Sequence, residues 1–424
     1  MTAPIMTDDQ RPLNLEQLKK RAKGLLKQIR DGDPLAYSRI GMSENGSGNK
    51  PEHIKAEFTL ADAQFVIARE LKQSSWTKLK EHIAAYDRAK QLVINDSVAD
   101  ADISTVHIRC GSDIQQGLQL AGLHGKFIEY CDPVCQGPVR DPYDIRQRQQ
   151  FIKTLGQGAV GPPPLGSDQS RLEQSLLVDR IVIWSEHDPY DVFVLARLCN
   201  YFSSCISLPR LELIFADTFP GIERFNGLGQ LSPTGLRLLW EQARQEVTPK
   251  FLSVGRRVWQ SICNSDPTEL SKLANSSIKD MQPFTRAVMR YIQEYPWVGD
   301  GLTLTERLAL GAINAGATTP GEVFRDLVVA REPLVFIGDV MFWPIIRRLA
   351  GSSCPFVDIH RPEPGMPWFK TSVELTRAGE QILDPSEPNS SWKRPGEYWQ
   401  GGVRIDENCP WRYQLETTSL IKVV

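Results

Sequence analysis

Between residues 104 and 216 the chain alternates short apolar runs with polar, turn-rich clusters. Thr105–Cys110 (TVHIRC) is β-branched and apolar, and it stops at Gly111-Ser112-Asp113. Ile114, Leu118 and Ala121 then recur at helical spacing and end at Gly122. A second run, Phe127–Cys131, breaks at Asp132-Pro133. Arg180–Trp184 (RIVIW) is a third, followed by SEHDPYD and an apolar helix from Val192 to Phe202. Leu211–Phe215 (LELIF) is a fourth, followed by ADTFPG. The strand–turn–helix–strand order implies parallel pairing with right-handed crossovers. In such a sheet the clusters GSD, DPVCQGP, SEHDPYD and ADTFPG share the carboxyl edge, where ligands bind.

The flanking patterns are helical first and mixed later. Residues 1–12 read as a disordered polar tail. Asn14 with Gln17 caps a helix to about Arg30, with Leu15, Leu18, Leu25, Leu26 and Ile29 on one face. Residues 41–52 read as a loop, Leu60–Leu71 as a second helix, and Ser75 opens a third carrying Trp76, Leu79 and Ile83. Residues 91–103 read as a linker. Tyr143–Leu155 is a polar helix, Gly156–Asp168 a Gly/Pro loop, and 223–231 another loop before helices over 233–246, 248–263, 267–275 and 281–294. From Gly301, capping boxes at Thr303–Glu306 and Thr319–Glu322 open two helices. Asp339 caps a third, bent at Pro344. Phe356–Ile359 and Ser372–Leu375 form a hairpin, and WQGGVRI and PWRYQLE add two strands. The expected fold class is α/β: a Rossmann-like, mostly parallel sheet over 104–296, an N-terminal three-helix module over 13–90, and a winged-helix-like α+β domain over 300–424.

Length and composition leave that picture intact: 424 residues with 41% hydrophobic positions suit two or three domains. The formal charge of −2 is uneven. Residues 11–90 hold 16 Lys/Arg against 10 Asp/Glu, and residues 300–424 hold 13 against 16. The acidic balance of the last segment disfavours a DNA-reading winged helix, since phosphate contacts need a positive face. Nucleic acid is therefore a possible partner but not a favoured one, and protein contact suits the winged helix better. The eight cysteines show no CxxC or His/Cys ligand spacing, and no signal peptide or long apolar span appears. A cytoplasmic protein with free thiols and no membrane partner is expected.

Candidate chemistry gathers at the sheet edge, at Asp113, Asp132, Glu186, His187, Asp188, Asp191 and Asp217. Three uses compete. The residues cap helices and turns; or the carboxylates and histidine hold a hard divalent ion; or backbone donors at Gly111 and Ser112 receive a nucleotide-like ligand. A bare phosphate beside Asp113 and Asp188 is repelled, so a ribose hydroxyl or a metal suits those carboxylates better. His107, between Val106 and Ile108, reads as a core histidine. No P-loop or G-x-S-x-G elbow is present, and the glycine fingerprint is incomplete at GSDIQQG. The cofactor and the metal stay unknown at this level. Asp113, His187 and Asp188 are the catalytic candidates, expected to converge on one small-molecule ligand.

HIRCGSDIQQGLQLAG, EYCDPVCQGPV, IVIWSEHDPYDVFVLARL and ERFNGLGQLSP together resemble the bacterial family known only as domain of unknown function eighteen thirty-five, over about residues 104–295. GLTLTERLALGAI, FIGDVMFW, VELTRAGEQIL and WQGGVRI resemble the domain that commonly trails it. ADAQFVIARE and SSWTKLKEHI resemble a helical segment that precedes ankyrin repeats or enzyme domains in bacterial proteins. The resemblance implies His107, Gly111, Asp113, Asp132, Gly137, Pro138, Trp184, His187, Asp188, Asp191 and Gln230 as signature positions. Gly111, Asp132, Gly137, Asp191 and Gln230 thereby become cofactor-binding candidates, beside Ser112 with its backbone donor. The family carries no assigned activity, so the expectation is a small polar ligand and unspecified turnover, with a nucleic-acid-associated regulator as the alternative.

Overall fold

The computed structural model describes residues 13–41, 57–155, 168–278, 281–351, 354–360, 366–384 and 396–423. The expected tail at 1–12 lies outside them, as do nearly all of the loops at 41–52 and 156–168. The described residues form two compact units, one within 1–104, 113–125 and 216–244, the other within 105–112, 126–215 and 245–424.

The first unit is helical. Helix α1 (Leu15–Asp31) starts where the Asn14 side chain accepts the Gln17 N–H at 3.1 Å, and it ends at Gly32 in the left-handed region. A short α2 (Pro34–Gly41), which the pattern did not reveal, follows after one turn. Helix α3 (Leu60–Glu70) opens on a reciprocal Thr59/Asp62 capping box, and α4 (Trp76–Ile94) on Ser75. Leu18, Leu25, Ile29, Val66, Ile67 and Leu79 make the shared core. Helices α5 (Gln115–Leu120) and α9 (Pro233–Gln242) belong to the same unit, where α9 packs on α4 and α5.

His82, on α4, sits edge-on to Phe219 with ring centres 5.5 Å apart. Burial pushes its imidazole down to about 4. A depressed folded-state value means that stability is complete above the unfolded value near 6.5 and is lost as pH falls towards 4. The loss is at most about 3 kcal/mol. A His82→Leu variant is expected to flatten that acid limb in thermal melts; an unchanged limb would assign it to other groups.

The second unit holds the mixed α/β core. Strands β1 (Thr105–Arg109), β2 (Lys126–Glu129), β4 (Arg180–Glu186), β5 (Arg210–Ala216) and β6 (Arg244–Glu246) form one sheet in the order β2-β1-β4-β5-β6. β1 pairs in parallel with both β2 and β4, Ile108 standing beside Ile128 on one side and Ile183 on the other. All four apolar runs thus lie in one sheet. β1 and β4 are buried at every position, as interior strands covered on both faces require. The expected helix over 233–246 stops short: α9 ends at Gln242, and 244–246 turn into the edge strand, with Arg244 folded over the Trp240 ring at 4.0 Å.

Helix α8 (Pro189–Phe202) follows β4 and packs on α10 (Pro249–Cys263). Gly255 makes that approach possible, because a Cβ there would stand 2.5 Å from the Cys199 Cβ. Phe193 meets Tyr291 of α12 (Gln282–Ile292) edge-on at 4.6 Å. Further along, α13 (Leu304–Asn314), α14 (Pro320–Asp326), α15 (Asp339–Ala350) and the antiparallel hairpin of β7 (Val357–Ile359) and β8 (Val373–Leu375) enclose Leu310, Phe342, Ile346 and Phe356. Asp339 is the first residue of α15, Gly338 standing at the cap position instead. The segment WQGGVRI folds as two strands, β9 (Tyr398–Gly401) and β10 (Val403–Ile405). β9 also pairs in parallel with a two-residue β3 (Gly137–Pro138).

Candidate functional site

At the carboxyl ends of β1 and β4 the second unit buries a compact group of charges. Arg109, the last residue of β1, is 3% exposed and donates to Glu186 at 3.0 Å and to Asp191. Asp191 also accepts the Glu186 N–H at 3.1 Å and the Cys110 thiol at 2.9 Å. Asp188 is the N-cap of α8: its Oδ1 accepts the N–H groups of Tyr190 at 2.7 Å and Asp191 at 3.3 Å, with Pro189 at the first helical position. Its Oδ2 has no hydrogen-bond partner among the described residues. Glu186, Asp188 and Asp191 offer oxygens that all lie within 4.8 Å of one another.

These placements set the protonation of Asp188. Burial, then the Asp191 and Glu186 carboxylates, push its carboxyl well above the ordinary range; Arg109 and the Asp191 N–H pull the other way. One guanidinium thus serves two carboxylates, and the third carboxyl in the group favours its neutral form. Because Arg109 already occupies the counter-ion position, a divalent ion would have to displace it.

Other signature residues are committed elsewhere. Asp132 is fully buried, with Arg148 on both its oxygens at 2.6–3.1 Å and the Tyr143 hydroxyl on Oδ2. Arg148 also donates to the carbonyls of Pro133, Gln136 and Pro138 at 2.8–3.0 Å, so one side chain ties down the loop from Asp132 to Pro138. Gly137 adopts φ +79°, and a Cβ there would stand 2.4 Å from the Phe151 ring. Asp132 and Gly137 therefore shape the loop, with no atom of the Asp132 carboxylate left over for a ligand. His107 accepts the Trp184 indole N–H on Nδ1 at 3.1 Å, a buried pairing across β1 and β4.

Asp113 falls in the first unit, whereas His187, Asp188 and Asp191 fall in the second with Gly111 and Ser112. Asp113 lies over Gly229, where a Cβ would stand 2.8 Å from its Oδ2. Gln230 closes its own turn: Oε1 accepts the N–H groups of Asn226 at 2.6 Å and Gly227 at 3.3 Å. His187 is buried at the end of β4. Sequence reasoning overlooked Arg109, Cys110 and Arg148. The signal for Arg109 was a lone cation inside an apolar strand, which demands a buried carboxylate partner.

No protein-family model matches the chain, and no curated protein matches it. All eight cysteines are free thiols. Among the described residues no helix is long and apolar enough to cross a membrane.

Proposed function

We propose that this chain is a cytoplasmic small-molecule-binding protein of Rossmann-like topology, carrying a winged-helix-like domain used for packing or protein contact. The order of the motifs it has in common with family eighteen thirty-five supports that assignment. The ligand is small and polar, with nucleotide-like hydroxyls or amines, and it meets the sheet at the carboxyl ends of β1 and β4. The observation that carries this reading is the state of Asp188, a buried carboxyl whose Oδ1 is spent on the α8 cap and whose Oδ2 is uncommitted. A neutral carboxyl held this way can donate a hydrogen bond, or a proton if the site turns over.

Asp188→Ser tests it, because Ser caps helices about as well as Asp while it has no polar atom in the place of Oδ2. Native mass spectrometry with elemental analysis, on full-length protein purified without chelator, is expected to find a small molecule on the wild type. The variant should lose most of it at nearly unchanged melting temperature. Equal occupancy in both proteins, with the variant melting lower, would reduce Asp188 to a cap.

The nucleic-acid alternative draws on a cleft of about 730 Å³ in the first unit, bordered by Arg21, Arg39, Arg69 and Lys72. Glu70 neutralises it in part, holding Arg39 at 2.7 Å and Arg21 at 3.2 Å. The small-molecule reading is preferred for that reason.

A further inference from the structure

Within the second unit the loop before β3, helix α6 (Ile145–Leu155), α15 and β9 surround a cavity of about 280 Å³. Phe151, Phe336, Tyr398 and Trp399 give it aromatic walls. Most of the polar groups on those walls are already engaged. Arg348 is paired with Glu306 at 2.7 Å and lies over the Tyr398 ring at 4.1 Å. Glu294 receives Arg290 and Thr305, each at 2.7 Å, and Glu397 receives Arg404 at 2.6 Å. Gln400 donates to the Tyr291 carbonyl at 3.2 Å.

Two residues on the wall are different. Gln136 donates through Nε2 to the Met341 carbonyl at 3.0 Å, yet its Oε1 is buried with no hydrogen-bond partner among the described residues. Arg347 Nε is likewise buried and unpartnered. No carboxylate among the described residues pairs with Arg347, whose guanidinium carbon stands 6.0 Å from the Trp343 ring centre. A buried acceptor and a buried cationic donor left unsatisfied around one cavity are what a complementary molecule would complete.

We propose that this cavity binds a small planar aromatic molecule bearing one anionic group. The anion pairs with Arg347, and a ring N–H or O–H donates to Gln136 Oε1. The aromatic walls take the ring faces, where stacking and edge contacts are favourable. The guanidinium fork prefers a carboxylate or a phosphate, which it can meet with two parallel donors. The volume falls just below the roughly 300–1,000 Å³ of small-molecule sites, which limits the ligand to one ring system and its anionic substituent. This site does not depend on the role of Asp188.

The test is titration of the full-length protein, followed by calorimetry and by tryptophan fluorescence. One arm uses indole carboxylate and hydroxybenzoate, a second uses phenyl phosphate, and indole and phenol serve as uncharged parents. At least one acid is expected to saturate below about 1 mM. Its uncharged parent should bind at least tenfold more weakly. The arm that binds separates a carboxylate ligand from a phosphate one. Arg347→Met is expected to lose at least tenfold in affinity, about 1.4 kcal/mol, and Gln136→Leu to lose affinity as well. If Arg347→Met fails to fold, Arg347→Lys keeps the charge while removing Nε and the planar fork, and it should still weaken binding. Failure of every probe to saturate overturns the proposal. So do equal affinities for acid and parent, or undiminished binding by the Arg347 variant.

Discussion

Replacing Arg148 by methionine is expected to destabilise the fold by about 3–5 kcal/mol, among the largest effects of any single substitution in this chain. The pair it breaks is buried on both sides, with Arg148 1% exposed and Asp132 not exposed at all. Removing the guanidinium leaves the Asp132 carboxylate with the Tyr143 hydroxyl as its remaining side-chain donor. It also takes the donors from the carbonyls of Pro133, Gln136 and Pro138. Protons taken up in mild acid cannot return donors to three carbonyls. The deficit should therefore persist when denaturant midpoints are compared at neutral and mildly acidic pH. A loss of only about 1 kcal/mol, in the range of an exposed pair, would mean that the loop holds its shape without Arg148.

Arg109→Met is expected to cost a similar amount, about 3–5 kcal/mol near neutral pH, but with a different pH signature. Arg109 is the charge partner of both Glu186 and Asp191, which are 6% and 3% exposed. Without it, burial and mutual repulsion raise both carboxyl groups above their unfolded values. A raised group favours the folded state only while protonated, and that contribution is lost as pH rises through the folded value. The variant should accordingly recover stability as pH falls, so that its denaturant midpoint approaches that of the wild type on the acid side. A gap that stays constant with pH would show that Arg109 acts through packing alone. Asp188, already favouring its neutral form in the wild type, would be pushed further in the same direction, with weaker capping of α8 as a result.

The apolar runs at 105–110, 127–131, 180–184 and 211–215 announced four of the five strands that the sheet contains, because buried parallel strands are continuously apolar. Capping signals at Asn14, Ser75, Thr303 and Thr319 located helix starts to within a residue, since the cap is a contact within one turn of chain. The cluster SEHDPYD likewise marked where Asp188 and Asp191 would stand. What the clusters could not declare was which acidic residue would meet which base. Asp132 looked like its neighbours at the sheet edge, yet its partner Arg148 comes from a polar helix 16 residues on, and the pair serves the loop. Arg109 looked like an intruder in a strand, and only the register of β1 beside β4 brought it to Glu186 and Asp191. The two-residue strand β3 and its pairing with β9 join positions 137 and 400, and no local pattern encodes a contact of that span. Periodicity and caps are written in neighbouring residues and can be read there. The pairing of buried charges, and with it the protonation of Asp188, depends on distances and desolvation that exist only once remote segments are packed together.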